Sequence, residues 1–172
     1  MGFRVRRLEP GDDRSRFRSG NVELDRFFGR YAGQNQFRHH IGTTYVAVDE
    51  SGLIAGFATV TASELVPSTL PRPRRKGPPY PLPVLRLARL AVDRRAKSTG
   101  VGTLLLGSVL ALARQMAIDV GCVGVVVDAK EEAVPFYEKL GFERLSVDAG
   151  QLGERPEPVP MFLELARIPR ST

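Results

Sequence analysis

Two short stretches hold the residue types from which a group-transfer site can be assembled. The first, Lys97-Ser98-Thr99-Gly100-Val101-Gly102-Thr103, lies between an apolar strand-like run at 87–92 and a long amphipathic helix. Backbone N–H groups at a helix N-terminus, reinforced by the positive pole of the helix, can hold a pyrophosphate without committing a charged side chain. Gly100 and Gly102 permit torsions and close approach that a Cβ forbids. A tight turn also uses two glycines, so the loop alone leaves both uses open. The second, Ala133-Val134-Pro135-Phe136-Tyr137-Glu138-Lys139-Leu140-Gly141-Phe142, puts an aromatic pair on a short helix that ends at a glycine. Tyr137 brings a phenol that can donate a proton, and a buried phenol needs a partner. Phe136 reads as a packed aromatic beside it.

The elements that position these residues follow from periodicity. Ser19 or Asn21 caps a helix whose apolar residues Leu24, Phe27, Phe28 and Tyr31 form one face. Residues 43–48 and 53–62 read as two strands around the turn Asp49-Glu50-Ser51-Gly52. Seven prolines between 65 and 83, with the cluster Arg72-Pro73-Arg74-Arg75-Lys76, mark a surface insertion rather than helix or interior strand. Such a loop is either a solubilising linker or a contact for phosphate backbone. Residues 84–92 form the strand before the glycine loop. Leu105, Val109, Leu112, Met116 and Val120 then make one helix face. The run 121–127 is continuously apolar, as in a strand covered on both sides. The β-α-β order implies a right-handed crossover with the two strands adjacent, and 160–165 supplies a last strand. The fold class is mixed α/β, in a single domain spanning 1–172 with the insertion at about 65–83.

Composition limits the partners. Of 25 basic residues 21 are arginine, and the net charge is +6. Arginine suits bidentate phosphate contacts, so a polyanion is one reading and an Arg-rich codon bias the other. The single cysteine, Cys122, forms no internal disulfide and reads as a small core residue in a reducing compartment. The start is charged rather than apolar, and no run is expected to be long enough to cross a membrane, which implies a cytoplasmic protein. His39 and His40 are the only histidines and point apart on a helix, so no metal site is expected.

In this order and spacing the two stretches resemble the acyl-CoA core of the GNAT superfamily of N-acetyltransferases. The superfamily loop reads Gln/Arg-x-x-Gly-x-Gly/Ala, and Lys97 departs from it at the first position. The run Ala-x-x-Phe-Tyr-Glu-x-x-Gly-Phe matches at Ala133, Phe136, Tyr137, Glu138, Gly141 and Phe142. The resemblance implies acetyl-CoA as donor. It would be held by the loop from Lys97 through Ser98, Thr99, Gly100, Val101 and Gly102 to Thr103, by strand backbone at Leu90, Ala91 and Val92, and by Asp128 and Phe136. Tyr137 would act as general acid and the N–H of Ala91 or Val92 would stabilise an oxyanion. Asp128 could equally cap the following helix. Many relatives carry a Glu base on the strand before the loop. Here Arg86-Leu87-Ala88-Arg89-Leu90-Ala91-Val92-Asp93 has none, which suits an acceptor amine of low pKa that is largely neutral near pH 7.

A narrower resemblance runs through Phe17-x-Ser19-Gly20-Asn21-x-x-Leu24-Asp25-x-Phe27-Phe28, Thr43-Thr44-Tyr45-Val46, Gly56-Phe57-Ala58-Thr59-Val60, Pro81-Leu82-Pro83-Val84, Arg89-Leu90-Ala91-Val92-Asp93 and Val125-Val126-Val127-Asp128-Ala129. These segments are similar to the GNAT toxins of bacterial type II toxin–antitoxin systems. The resemblance implies acetylation of the α-amine of aminoacyl-tRNA, a block to translation, a ribbon-helix-helix antitoxin and a homodimer. Arg72, Arg74, Arg75, Lys76, Arg86 and Arg89 would then meet tRNA phosphates. Two other readings stand beside it: a GNAT enzyme acting on a small-molecule or peptide amine, and a non-catalytic acyl-CoA- or DNA-associated binding module.

Overall fold

The computed structural model describes residues 2–71, 81–146 and 158–167. The chain divides into two compact units, one of Met1–Thr61 with Leu87–Ala111 and one of Ala62–Arg86 with Leu112–Thr172. The insertion residues Arg72, Arg74, Arg75 and Lys76 lie outside the described residues.

In the first unit the strands run β1-β2-β3-β4, where β1 is Arg4–Arg7, β2 Thr43–Val48, β3 Ile54–Leu65 and β4 Leu82–Val92. Asp49 builds the hairpin between β2 and β3. Its Oδ1 accepts from the backbone N–H of Ser51 and of Leu53 at 2.9 Å each, while Gly52 takes φ +86°. Asn21 caps α1 (Val22–Arg26) by accepting from the Leu24 N–H at 3.0 Å. Ser19, the other candidate cap, instead donates its hydroxyl to Asp25 at 2.6 Å.

After α1 the chain winds as two wide π-helical turns, Phe27–Tyr31 and Gln34–His39. That winding corrects the expected apolar face. Phe27, Phe28 and Ala32 are buried, and Tyr31 is turned out to 42% exposure. Phe28 stacks on Phe57 at 4.4 Å, with Phe17 edge-on to both. This aromatic knot, with Leu8, Val46, Val48, Ile54 and Ala91, is the core of the unit.

In the second unit the order is β3-β4-β5-β7-β6, with β5 Gly124–Ala129, β6 Glu143–Arg144 and β7 Val159–Glu164. Thus β4 and β5 are neighbours, as the crossover implied. Strand β7 enters antiparallel beside β5, with Val126 opposite Phe162, and β6 pairs with its other side. Leu65, Leu82, Val84, Val126 and Phe162 form the core here. Leu82 and Pro83 therefore belong to β4 rather than to the insertion. Pro83 is tolerated because its carbonyl accepts from Val123 N–H at 2.9 Å, a bond that needs no proline donor. Cys122 is buried, and Gly124 O accepts from its thiol at 3.2 Å.

Helix α2 (Val101–Asp119) buries Val101, Leu105, Leu106, Val109 and Ala113. The expected stripe through Val120 is corrected at its far end, since the helix stops at Asp119 and Val120 is 79% exposed. With 19 residues and mean hydropathy 1.6, α2 is long and apolar enough to cross a bilayer, against the sequence expectation. Of that apolar window 28% is buried, along the face of Val101, Leu105, Leu106, Val109 and Ala113.

Candidate active site

The glycine loop hangs between β4 and α2 in the first unit. Asp93, at the end of β4, caps a single 3-10 turn, Arg94–Ala96, by accepting from Arg95 N–H at 2.9 Å. Thr99 then donates its hydroxyl to Ala96 O, closing the turn. Ser98 takes φ +64° and Gly100 φ +88°, two left-handed residues that reverse the chain into α2. The first intrahelical bond is Leu104 N–H to Gly100 O at 3.0 Å, so the N–H groups of Val101, Gly102 and Thr103 precede the helical ladder.

Neither glycine is imposed by packing within the unit. A Cβ on Gly100 would meet nothing within 4 Å, and one on Gly102 only Val92 Cγ2 at 3.6 Å. The missing side chains leave room over three N–H groups at the positive end of a 19-residue helix, which fits an anionic phosphate. Lys97 is exposed, and its Nζ lies 3.9 Å from where a Cβ of Gly20 would stand. The cation is therefore directed at the segment before α1. Leu90 and Val92 are half-buried and Ala91 is in the core.

Sequence reasoning passed over Gly56. A Cβ there would strike Val101 Cγ1 at 2.7 Å and Ala91 O at 3.0 Å, so the bare backbone of β3 is what admits the start of α2. A lone glycine inside a strand pattern was the available signal. Arg89 places its guanidinium 3.8 Å from the centroid of the Phe27 ring.

In the second unit α3 (Val134–Lys139) ends in a Schellman motif. Gly141, at φ +95°, donates its N–H to Glu138 O at 3.0 Å, and Phe142 N–H reaches Tyr137 O at 3.2 Å. The same motif folds Phe142 back onto the Tyr137 ring at 5.4 Å, and Phe136 meets it edge-on at 5.2 Å. The Phe-Tyr-Glu-x-x-Gly-Phe run thus encodes a helix stop that clamps one phenol. Tyr137 is 6% exposed. Burial pushes its hydroxyl up to about 12, and no hydrogen bond to that hydroxyl occurs among the described residues.

Asp128 and Arg86 find each other. Arg86 Nη1 donates to both Asp128 oxygens at 2.6 Å, and its Nε to Ser63 Oγ at 3.3 Å, a polar row across β3, β4 and β5. The following 3-10 turn is preceded by Lys130 without a side-chain cap, which corrects the capping role considered for Asp128. Both partners, expected at the coenzyme and at RNA respectively, are committed to one another. Among the described residues no cluster of His, Cys, Asp and Glu is arranged to hold a metal.

An open helix N-terminus behind glycines suits a ligand that carries phosphate, and a buried phenol that stays protonated suits proton donation. A family model described as an acetyltransferase (GNAT) domain matches residues 18–165, and the chain belongs to the GNAT acetyltransferase family. It is 31% identical over 139 residues to a tRNA-acetylating toxin of Mycobacterium tuberculosis (strain ATCC 25618 / H37Rv), covering 80% of this chain and 82% of that protein. Its fold is that of AtaT complexed with acetyl-methionyl-tRNAfMet, with TM-score 0.84, 24% identity and 96% of each chain covered. A tyrosine-to-phenylalanine mutant of AtaT bound to the C-terminus of the antitoxin AtaR and acetyl-CoA is also similar, with TM-score 0.76, 21% identity and coverage of 95% of this chain and 94% of that one.

Proposed function

We propose that this protein acetylates the α-amine of aminoacyl-tRNA from acetyl-CoA and so acts as a toxin of translation. The kinship to a tRNA-acetylating toxin over four-fifths of both chains carries this reading. Acetyl-CoA supplies an acetyl thioester, and the reaction replaces its C–S bond with a C–N bond to the amine.

The chain's own residues have defined parts. Val101, Gly102 and Thr103 bind the donor's pyrophosphate through backbone N–H groups, in the room left by Gly100 and Gly102. Tyr137, neutral at any physiological pH because its hydroxyl titrates at about 12, gives its proton to the departing thiolate. The N–H of Ala91 or Val92 faces the carbonyl oxygen as its charge develops. No carboxylate base stands on β4 before the loop. The acceptor α-amine, lowered by the adjacent ester to about 8 or below as in a peptide α-amino group, is partly neutral near pH 7 and loses its second proton to water. Phe136 belongs to the donor side in this reading, and Asp128 holds Arg86.

The arginine excess serves the RNA: Arg72, Arg74, Arg75, Lys76 and Arg89 meet backbone phosphates, while Arg86 stays paired with Asp128. The protein works as a cytoplasmic homodimer restrained by a ribbon-helix-helix antitoxin. Incubation with radiolabelled acetyl-CoA and total charged tRNA tests the reading, with deacylated tRNA as control. Label on the aminoacyl end of charged tRNA alone is the expected result. Label on a peptide or small amine and none on RNA would overturn it.

A further inference from the structure

A buried carboxylate sits at the entrance to the glycine loop, and its donors come from two distant parts of the chain. Asp93 is 2% exposed. It accepts from Arg95 N–H at 2.9 Å, from Arg95 Nε at 2.9 Å and Nη2 at 3.1 Å, and from the backbone N–H of Arg18 at 3.0 Å, 75 residues earlier. Arg94 N–H donates in turn to Arg18 O at 2.8 Å. Arg18 is thus held on both sides of its backbone by consecutive residues of the loop's entry. Two residues on, Gly20 (φ +94°) leaves space beside which the Arg94 stem and Lys97 Nζ lie, at 3.8–3.9 Å from where its Cβ would be. Asn21 then caps α1.

A buried carboxylate must have its oxygens satisfied, and here satisfaction requires both segments to be in place at once. We propose that Asp93 is a positioning residue that ties the glycine loop to residues 18–21, so that occupancy of the loop is transmitted to the start of α1. The oxygens of Asp93 are taken by Arg95 and by the Arg18 backbone. Asp93 acts by fixing Arg95 and, through the closed turn at Ala96 and Thr99, the path of the chain into Gly100. The inference rests on the reading of that loop as the donor's pyrophosphate site.

Hydrogen exchange of the full-length protein with and without saturating coenzyme A tests it directly. Protection is expected in peptides covering 97–103 and also in those covering 17–24. In Asp93→Asn the loop should still gain protection while 17–24 should not, and the KM for acetyl-CoA should rise about tenfold with kcat within threefold. A purely structural role would lower the melting temperature and leave the KM of the folded enzyme unchanged. Protection of 97–103 alone in the wild type overturns the coupling and spares the donor site; so does persistence of 17–24 protection in Asp93→Asn. Protection at neither segment overturns the donor-site reading and this inference with it. The wild-type comparison stands even if Asp93→Asn does not fold.

Discussion

Tyr137→Phe isolates the chemistry of one oxygen atom, because everything else about the side chain is held by the ring. Phe136 and Phe142 contact that ring edge-on at 5.2 and 5.4 Å, and the helix stop at Gly141 uses backbone bonds only. The hydroxyl has no hydrogen bond among the described residues, so its removal should change folding stability by less than about 0.5 kcal/mol. Proton donation by a positioned acid contributes about 10²–10⁴-fold, or about 3–5 kcal/mol of barrier. Since the hydroxyl titrates at about 12, its proton is present throughout the working range, and ionisation of Tyr137 should cause no alkaline loss below about pH 10. The assay is single-turnover acetylation of charged tRNA, with calorimetry for acetyl-CoA binding and a thermal melt on the same preparations. The expected variant melts with the wild type, binds acetyl-CoA within twofold and loses at least a hundredfold in rate. A rate within threefold of wild type would refute the assignment of Tyr137 as the acid.

Two further predictions concern the scaffold. Burial alone would raise Asp93, but hydrogen bonds from Arg95 and from the Arg18 backbone lower it to about 2. A depressed carboxylate contributes stability above its unfolded value and loses it as pH falls through its folded one. About 2 kcal/mol should therefore be present at neutral pH and fade between about pH 4 and 2, so urea titrations of wild type and Asp93→Asn should converge over that window; a constant difference would refute it. Gly124→Ala places a Cβ 2.3 Å from Leu163 O and 2.7 Å from the Phe162 ring. Strand β7 must retreat or unpair, at about 3 kcal/mol or more, and a melting temperature within 2 °C of wild type, where about 2–4 °C corresponds to 1 kcal/mol, would contradict the tight β5–β7 pairing.

Much of this architecture can be read from local pattern. Strand β2 falls at 43–48 as alternation predicts, because Thr, Tyr and Val fit a pleated surface and Asp49 and Gly52 fix the turn after it. The aromatic helix and the glycine loop are equally local, since each depends on backbone conformations only glycine adopts freely. What pattern misses are contacts between distant segments. Nothing in the run around Asp128 announces Arg86, 42 residues away, and nothing around Asp93 announces Arg18. Proline density likewise hid the true start of β4, because whether Pro83 is tolerated depends on which strand neighbour asks for its missing N–H.

The two wide turns after α1 are where the chain could change length at least cost. A π-helical turn holds roughly one residue more than an α-helical turn between the same end points. Phe27–Tyr31 and Gln34–His39 therefore each hold about one residue more than an α-helical turn would: Phe28, inside the first of them, keeps its stack on Phe57, and each extra residue swings whatever follows by about 100° around the axis. Deleting one residue from the second turn would re-aim the histidine pair and the outward-facing surface around Phe37, while the Phe17–Phe28–Phe57 core and the glycine loop keep their contacts.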